Sequence, residues 1–120
     1  MWTYEQATGK LFKDGDYIVT GYAGHEEGLN NPDMEGIRNV GPIPCGDWNI
    51  GPAFTHDKAG QVTMRLTPIG HDAKGRDGFL IHGDNTKGNR SASNGCPIIQ
   101  RAARNKINDS EDKLLRVVRG

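Results

Sequence analysis

The chain has 120 residues, which is enough for one domain with a single hydrophobic core. Its 15 basic residues balance 15 acidic ones, so the basic surface that is typical of nucleic-acid-binding proteins is absent. With 17 glycines and 6 prolines but only 34% hydrophobic residues, the composition favours a loop-rich β domain, and no segment approaches the roughly 20 apolar residues that insert across a membrane.

The first half of the chain predicts short strands separated by turns and one long loop. Residues 2–11 are predicted as a strand that closes on a Thr-Gly turn, and Asp-Gly-Asp at 14–16 is typical of a hairpin turn. Residues 17–22 are rich in β-branched and aromatic side chains and predict another strand. Residues 25–41 contain Asn-Asn-Pro and scattered charges and predict a long loop, and residues 48–50 predict a short strand.

The second half predicts two further strands followed by one helix. Apolar and polar side chains alternate over residues 61–67, which indicates a half-buried strand, and residues 79–82 form another apolar strand. Apolar residues recur at helical spacing after Cys96. Pro97 suits the first turn of a helix that ends at residues 108–110.

These elements together indicate the fold class. Residues 114–118 predict a final strand, and no linker, repeat or low-complexity segment divides the chain. We therefore expect residues 1–120 to form a single, mainly β domain. The domain is predicted to be compact and mostly antiparallel, with one short helix after Cys96.

Two side chains in the last third of the chain predict nucleophilic catalysis. His82 ends an apolar strand, and Cys96 follows fourteen positions later, behind Ser93, Asn94 and Gly95. A thiol is nucleophilic only as the thiolate, so it needs a base such as an imidazole beside it. We expect the N–H groups of Gly95 and Cys96, with the N-terminus of the following helix, to stabilise an oxyanion. Ser93 is predicted either to brace the loop or to touch substrate, and Asn94 to support the site.

The same residues carry a resemblance to a known family. His-Gly at 82–83, followed by Ser-x-Gly-Cys at 93–96, resembles the signature of L,D-transpeptidases of the YkuD type, which act on bacterial cell-wall peptides. Residues 44–51 are similar to a Pro-x-Gly-x-aromatic-x-Ile strand of those domains. The likeness is closer to the type VI secretion L,D-transpeptidase effectors. The further segments that share it are 2–4, 8–11, 20–24, 30–32, 39–44, 65–68 and 75–84.

The resemblance implies roles for the histidine and the cysteine. Cys96 is the nucleophile, and His82 takes its proton and later protonates the leaving amine. A backbone carbonyl at Gly83 or Asp84 is expected to hold the other ring nitrogen and so fix the tautomer. We favour a carbonyl over the Asp84 carboxylate, because adjacent side chains in a strand point to opposite faces.

The pattern defines the substrate-binding residues less well. In the broader family an arginine usually follows the nucleophile by two residues, where this chain has Ile98. The identity of the cation that binds the substrate carboxylate is therefore open, with Arg76 and Arg104 as candidates. We predict that Tyr22 and Arg76 bind substrate.

The resemblance implies an enzyme that acts on peptidoglycan tetrapeptide stems. It is expected to be an L,D-carboxypeptidase or exchange L,D-transpeptidase, and an antibacterial effector with an immunity protein and a secretion-system partner. We expect a monomer without cofactor or metal, since no His or Cys pair has the spacing of metal ligands. Residues 1–6 lack the pattern of a signal peptide, so the chain is expected to reach the periplasm of target bacteria by another export route, or to be one piece of a larger protein.

Two other functions are compatible with the sequence. A papain-like cell-wall endopeptidase would use Cys45 with His71 or His82, although Cys45 precedes a predicted strand and not a helix. A non-catalytic β module would bind wall glycan or a secretion partner and would tolerate loss of both cysteines. A disulfide between Cys45 and Cys96 is disfavoured, because the surroundings of Cys96 indicate a free nucleophile.

Overall fold

The computed structural model describes all 120 residues and shows the mainly β fold that the sequence predicts. There is one α-helix, α1 (Arg101–Asp109), and there are three single-turn 3₁₀ helices. No helix combines the length and the apolar character that crossing a bilayer requires. The seven strands are β1 (Trp2–Glu5), β2 (Lys10–Lys13), β3 (Asp16–Thr20), β4 (Gly46–His56), β5 (Gly60–Ile69), β6 (Leu80–Ile81) and β7 (Leu114–Val118).

All seven strands belong to one sheet in the order β3-β2-β1-β7-β4-β5-β6. Every neighbouring pair is antiparallel except β1 and β7, which are parallel. The last strand of the chain therefore lies in the middle of the sheet. It joins the N-terminal hairpins to the long β4–β5 hairpin, so the two halves of the sequence share one set of backbone hydrogen bonds.

The segment around Ile98 connects the two edges of this sheet. Ile98 exchanges two backbone hydrogen bonds with Tyr22, which follows β3, at 2.7 and 3.2 Å. On its other side, the His82 N–H donates to the Pro97 carbonyl, and the Ile99 N–H donates to the His82 carbonyl at 2.9 Å. The sheet is thus curled, and the residues just after Cys96 close it.

The hydrophobic core anchors the segment that leads through β6 to His82. Trp48 is fully buried, and its ring packs edge-on against Phe79, with 5.2 Å between ring centroids. Burial of one such large side chain contributes about 1.5 to 3 kcal/mol to the free energy of unfolding. The other large, fully buried apolar side chains include Tyr4, Leu11, Ile43, Met64, Ile81, Ile99, Ile107 and Leu115.

The start of the helix was predicted wrongly. α1 begins at Arg101, five residues after Cys96, and not at Pro97. Residues 97–99 are instead extended, because their N–H and C=O groups pair with Tyr22 and His82. Helical spacing of the apolar residues is preserved within α1, where Ala103 and Ile107 are buried.

The strands also differ in extent from the prediction. The single strand predicted over residues 2–11 is instead a hairpin of two strands, β1 and β2, that reaches Lys13, and β4 continues past Ile50 to His56. A register shift between Ile50 and Ala53 accommodates the Gly-Pro pair that was expected to end the strand. In β5 the predicted alternation holds for Met64 and Leu66 but not for Val62, which is half-buried with a positive φ of 53°, whereas Thr63 is buried. The β4–β5 register shifts a second time between Phe54 and His56, opposite this part of β5.

Candidate active site

Cys96 and His82 line the same cavity, which has a volume of about 240 Å³. The backbone explains why they meet: the segment that follows Cys96 pairs in parallel with His82 through Ile98. Two residues that are fourteen positions apart in the sequence are thereby placed on neighbouring extended segments. Other residues of the cavity wall are Arg38, Asn39, Arg76, Asp77, Phe79 and Asn94.

The imidazole of His82 is held in one tautomer. Its Nδ1 lies 2.9 Å from the Gly83 carbonyl oxygen, which can only accept, so Nδ1 carries the proton. Nε2 forms no hydrogen bond and is left as the basic nitrogen. Burial lowers the pKa of His82, and the Gly83 carbonyl opposes this shift without cancelling it. Burial therefore favours the neutral form of the ring.

The Cys96 thiol is partly buried and packs against the hydrophobic core. Its Sγ accepts a hydrogen bond from the Leu80 N–H at 3.3 Å, the thiol donates weakly to the Gly78 carbonyl at 3.9 Å, and neither bond involves His82. Burial raises the pKa of Cys96, whereas the Leu80 N–H and the charge of Arg76 lower it by less. The expected contribution of a helix N-terminus is absent, because α1 begins five residues later. Burial thus favours the neutral form of the Cys96 thiol, as it favours the neutral form of the His82 imidazole.

Ser93 braces the loop that carries Cys96. Its hydroxyl is fully buried, donates to the Cys96 carbonyl at 2.7 Å, and accepts from the N–H groups of Gly24 and Gly95, both at 2.9 Å. The N–H of Gly95 is therefore already bound to Ser93, and its role as an oxyanion donor stays a prediction. The N–H of Cys96 has no backbone or side-chain acceptor other than its own sulfur and remains available.

Gly95 has a structural role that only glycine can fill. Its φ is +138°, and a Cβ added there would lie 2.5 Å from Nη2 of Arg76 and 3.0 Å from the carbonyl oxygen of Gly41. At Gly83 a Cβ would lie 2.6 Å from Nη2 of Arg104, so a larger residue there would require the Arg104 side chain to move. The two glycines that flank the site therefore allow close approach of two arginines.

We expect Ser93→Ala to lower the free energy of unfolding by about 2 to 4 kcal/mol, because two buried N–H groups lose their acceptor. Urea denaturation followed by circular dichroism measures the change. Ser91→Ala is the matched control: its hydroxyl bonds only the side chains of Asn85 and Asn89 near the surface. We expect it to change stability by less than about 0.5 kcal/mol. Equal urea midpoints for the two variants would contradict the bracing role.

Arg76 lines the cavity, but most of its N–H donors are already bound to backbone carbonyl groups. The residue is only 7% exposed, and its Nη1 and Nη2 donate to the carbonyl oxygens of Glu35, Gly41, Pro42 and Asn94 at 2.6 to 3.2 Å. Its guanidinium also stacks on Phe79 at 4.9 Å. Burial lowers its pKa. These bonds tie residues 35–42 to the Cys96 loop, and the predicted substrate-binding role of Arg76 stays a prediction.

Tyr22 and Arg104 lie outside the cavity lining. The Tyr22 hydroxyl donates to the Asp84 carboxylate at 2.6 Å and accepts from the Ala92 N–H at 3.2 Å, so it closes both ends of the loop between them. Burial and the Asp84 hydrogen bond raise the pKa of Tyr22 to about 12. Arg104 donates to three backbone carbonyls, those of Ile99, Gln61 and Val62. Both residues therefore stabilise segments next to the cavity without lining it.

Cys45 lacks the surroundings of a nucleophile. Its thiol donates to the side-chain oxygen of Gln6 at 3.3 Å, and burial of the sulfur together with the Glu35 carboxylate raises its pKa to about 11. His71 is no base for it, because Nε2 donates to the Asp47 carbonyl and Nδ1 accepts the Ala73 N–H. Cys45 and Cys96 are both free thiols.

The sequence analysis missed Arg38 and Asn39, which the loop at residues 25–41 brings to the cavity. A scattered charge in a long loop has no local pattern that separates it from other surface arginines. Asn39 has a positive φ of 64°, a conformation that asparagine tolerates better than most residues. No group of three or more His, Cys, Asp or Glu side chains is placed to hold a metal ion.

The comparisons with known proteins agree with the resemblance at the level of the family. The family model of the Tlde1 domain matches residues 17–118, which is most of the chain. A search of curated proteins found no match. The matched range contains Cys96, His82 and the whole cavity wall. The chain therefore belongs to the Tlde1 domain family, a family of type VI secretion effectors with L,D-transpeptidase-like character.

Proposed function

We propose that this domain is a cysteine-dependent L,D-carboxypeptidase and exchange L,D-transpeptidase that acts on peptidoglycan tetrapeptide stems. One observation carries the proposal: Cys96 shares a cavity with His82, whose Nδ1 is held by the Gly83 carbonyl so that Nε2 is basic. A nucleophile, a base with a fixed tautomer and a free backbone N–H are the parts that acyl transfer requires.

The reaction begins with proton transfer from the Cys96 thiol to Nε2 of His82. Sγ attacks the carbonyl carbon that joins the third stem residue, at its L-centre, to the terminal D-Ala. A C–S bond forms, and the oxyanion is stabilised by the Cys96 N–H. The C–N bond then breaks, and the amine of D-Ala leaves with the proton from His82. Water resolves the thioester to give a tripeptide, whereas an incoming amine gives exchange.

The charge states of the two groups favour general-base catalysis over a preformed ion pair. Burial shifts the pKa of Cys96 up and that of His82 down, and both shifts favour the neutral forms. In cysteine enzymes with a lowered thiol pKa, the thiolate is present before substrate binds. Here the proton moves only when the thiol attacks.

The pH dependence of kcat/KM is expected to follow from these shifts. Neutral His82 is the active form, so activity should fall with decreasing pH through an apparent pKa below the ordinary histidine value of about 6.5. No alkaline loss is expected from thiol ionisation until the pH exceeds the ordinary cysteine range. An acid limb centred above 6.5 would contradict the neutral pair.

The fold itself must be followed across the same pH range. Because the folded-state pKa of His82 is lowered, its contribution to stability is present above the unfolded value and is lost as pH falls below it. Circular dichroism at each pH separates loss of structure from loss of the base. His25→Gln is a suitable control variant, since His25 lies outside the cavity lining and its side chain is partly exposed.

Mass spectrometry of muropeptides tests the activity directly. Purified tetrapeptide muropeptides treated with the wild-type domain should lose the mass of one D-Ala or exchange it for an added D-amino acid. The Cys96→Ala variant should leave them intact. Cleavage at another bond would identify an endopeptidase, and unchanged muropeptides with retained binding would identify a non-catalytic wall-binding module.

The family membership supports a place for this reaction in bacterial competition. Type VI effectors are delivered into target cells, so we propose that the domain acts in the periplasm of the target. A cognate immunity protein in the producing cell and a component of the secretion system are the proposed partners. The cavity that contains Cys96 is the surface that an inhibitor of the reaction would have to cover.

A further inference from the structure

A tetrapeptide stem ends in a carboxylate, and the cavity contains two guanidinium groups that could meet it, those of Arg38 and Arg76. Arg76 has four of its N–H donors bound to backbone carbonyls, so it has little capacity for a ligand. The side chain of Arg38 is 57% exposed. The two arginines thus differ in what they can offer to a bound anion.

The existing contacts of Arg38 leave most of its donors free. Nη1 donates to the Asp77 carboxylate at 3.1 Å, and Nη2 donates to the Gly75 carbonyl at 2.6 Å. A guanidinium has five N–H donors, so three remain. The Asp77 side chain is 88% exposed, and exposed ion pairs of this kind contribute little to stability. A substrate carboxylate can therefore replace Asp77 without a large penalty.

The loop holds Arg38 at the cavity. The guanidinium of Arg76 binds the carbonyls of Glu35, Gly41 and Pro42, which flank Arg38 on both sides. Inside this loop, the N–H groups of Val40 and Gly41 both donate to the Ile37 carbonyl. The buried arginine therefore fixes the position of the exposed one.

We infer that Arg38 binds the C-terminal carboxylate of the acyl donor, an inference that rests on the proposed function. Its planar guanidinium matches a carboxylate through two parallel hydrogen bonds, and Asp77 is the group that the substrate displaces. Recognition of this carboxylate restricts cleavage to the last peptide bond of the stem. Arg38 is thus a specificity-determining residue that acts on the leaving D-amino acid.

The test compares two substrates that differ only at the C-terminus: a stem tetrapeptide with a free carboxylate and the same peptide as its C-terminal amide. We expect the wild-type domain to prefer the free acid. Arg38→Ala should lower kcat/KM for the acid by roughly 10- to 100-fold, the usual value of a hydrogen bond to a charged group. The same variant should change kcat/KM for the amide by less than about twofold, and Arg38→Lys should keep part of the preference.

Two controls separate substrate recognition from loop stability. Asp77→Ala breaks the same ion pair but keeps the guanidinium, so the acid-to-amide preference should persist. Arg119→Ala removes another exposed arginine, 65% exposed and paired with Asp33 at 2.8 Å, which lies outside the cavity lining, and should change neither rate.

The outcomes distinguish the inference from the proposed function. An Arg38→Ala variant that keeps the wild-type preference, or that loses both rates equally, overturns the role of Arg38 while the activity stands. A wild-type domain that cleaves neither peptide overturns the proposed function, and the inference falls with it.

Discussion

Cys96→Ala and His82→Ala are each expected to abolish release of D-Ala from tetrapeptide muropeptides, whereas Cys45→Ala keeps most of the activity. Loss of a nucleophile typically lowers kcat by about 10³-fold or more, and loss of a general base by about 10²- to 10⁴-fold. The reason for the contrast is that Cys96 shares its cavity with a basic imidazole nitrogen, while the Cys45 thiol is bound to Gln6. Chromatographic quantification of tripeptide and tetrapeptide muropeptides provides the rates.

Thiol labelling is an independent measurement on the same three variants. A small alkylating reagent at neutral pH should modify Cys96 faster than Cys45, since only Cys96 shares a cavity with the imidazole of His82 and the pKa of Cys45 is raised to about 11. His82→Ala should slow the labelling of Cys96, because the proton acceptor is gone. Preferential labelling of Cys45, or activity lost only in Cys45→Ala, would identify Cys45 as the nucleophile.

Local patterns predicted the parts of the site that depend on local structure. The apolar run that ends at His82 predicted a strand, and the structure shows β6 there, with His82 directly after it. The Ser-x-Gly-Cys pattern predicted a tight loop, and Ser93 and Gly95 form one around Cys96. Each of these features depends on residues within a few positions of one another, so the sequence contains the required information.

The features that the sequence did not predict depend on hydrogen bonds between residues that are far apart in the chain. Residues 97–99 have helical spacing of apolar side chains with α1, yet they are extended because both of their edges are hydrogen-bonded to distant segments. Periodicity cannot detect a partner such as Tyr22, which is far away in the chain. The same pairing removes the helix N-terminus from Cys96, and burial then raises the thiol pKa that a helix was expected to lower.

Long-range contacts limit the prediction of side-chain roles in the same way, and three arginines illustrate this. The sequence gives only the charge of Arg76, Arg104 and Arg38, so it cannot tell which of the three has free N–H donors. Four backbone carbonyls bind Arg76 and three bind Arg104, and these carbonyls come from loops and strands that are distant in the chain. The arginine with free donors could therefore be identified only after the loop at residues 25–41 was placed beside the cavity.

Toxicity is expected to depend on the compartment in which the domain is produced. Expression in the cytoplasm of a Gram-negative host should be tolerated, because peptidoglycan lies outside the cytoplasmic membrane. Fusion to a periplasmic export signal should cause swelling or lysis, which microscopy and optical density record. Loss of terminal D-Ala from the stems should accompany lysis, since tetrapeptides are the acyl donors of the host's own L,D-transpeptidases.

The catalytic variants decide whether acyl transfer is the cause of that lysis. Exported Cys96→Ala and His82→Ala should leave cells intact, because damage requires bond cleavage and not binding alone, whereas exported Cys45→Ala should remain toxic. Immunoblots of periplasmic fractions establish that all variants reach the same level. If Cys96→Ala lyses cells as well as the wild type, or cytoplasmic expression alone kills, the toxic step is independent of the thiol. A binding or membrane-perturbing mechanism would then have to replace the wall enzyme, and the shared cavity of Cys96 and His82 would have another role.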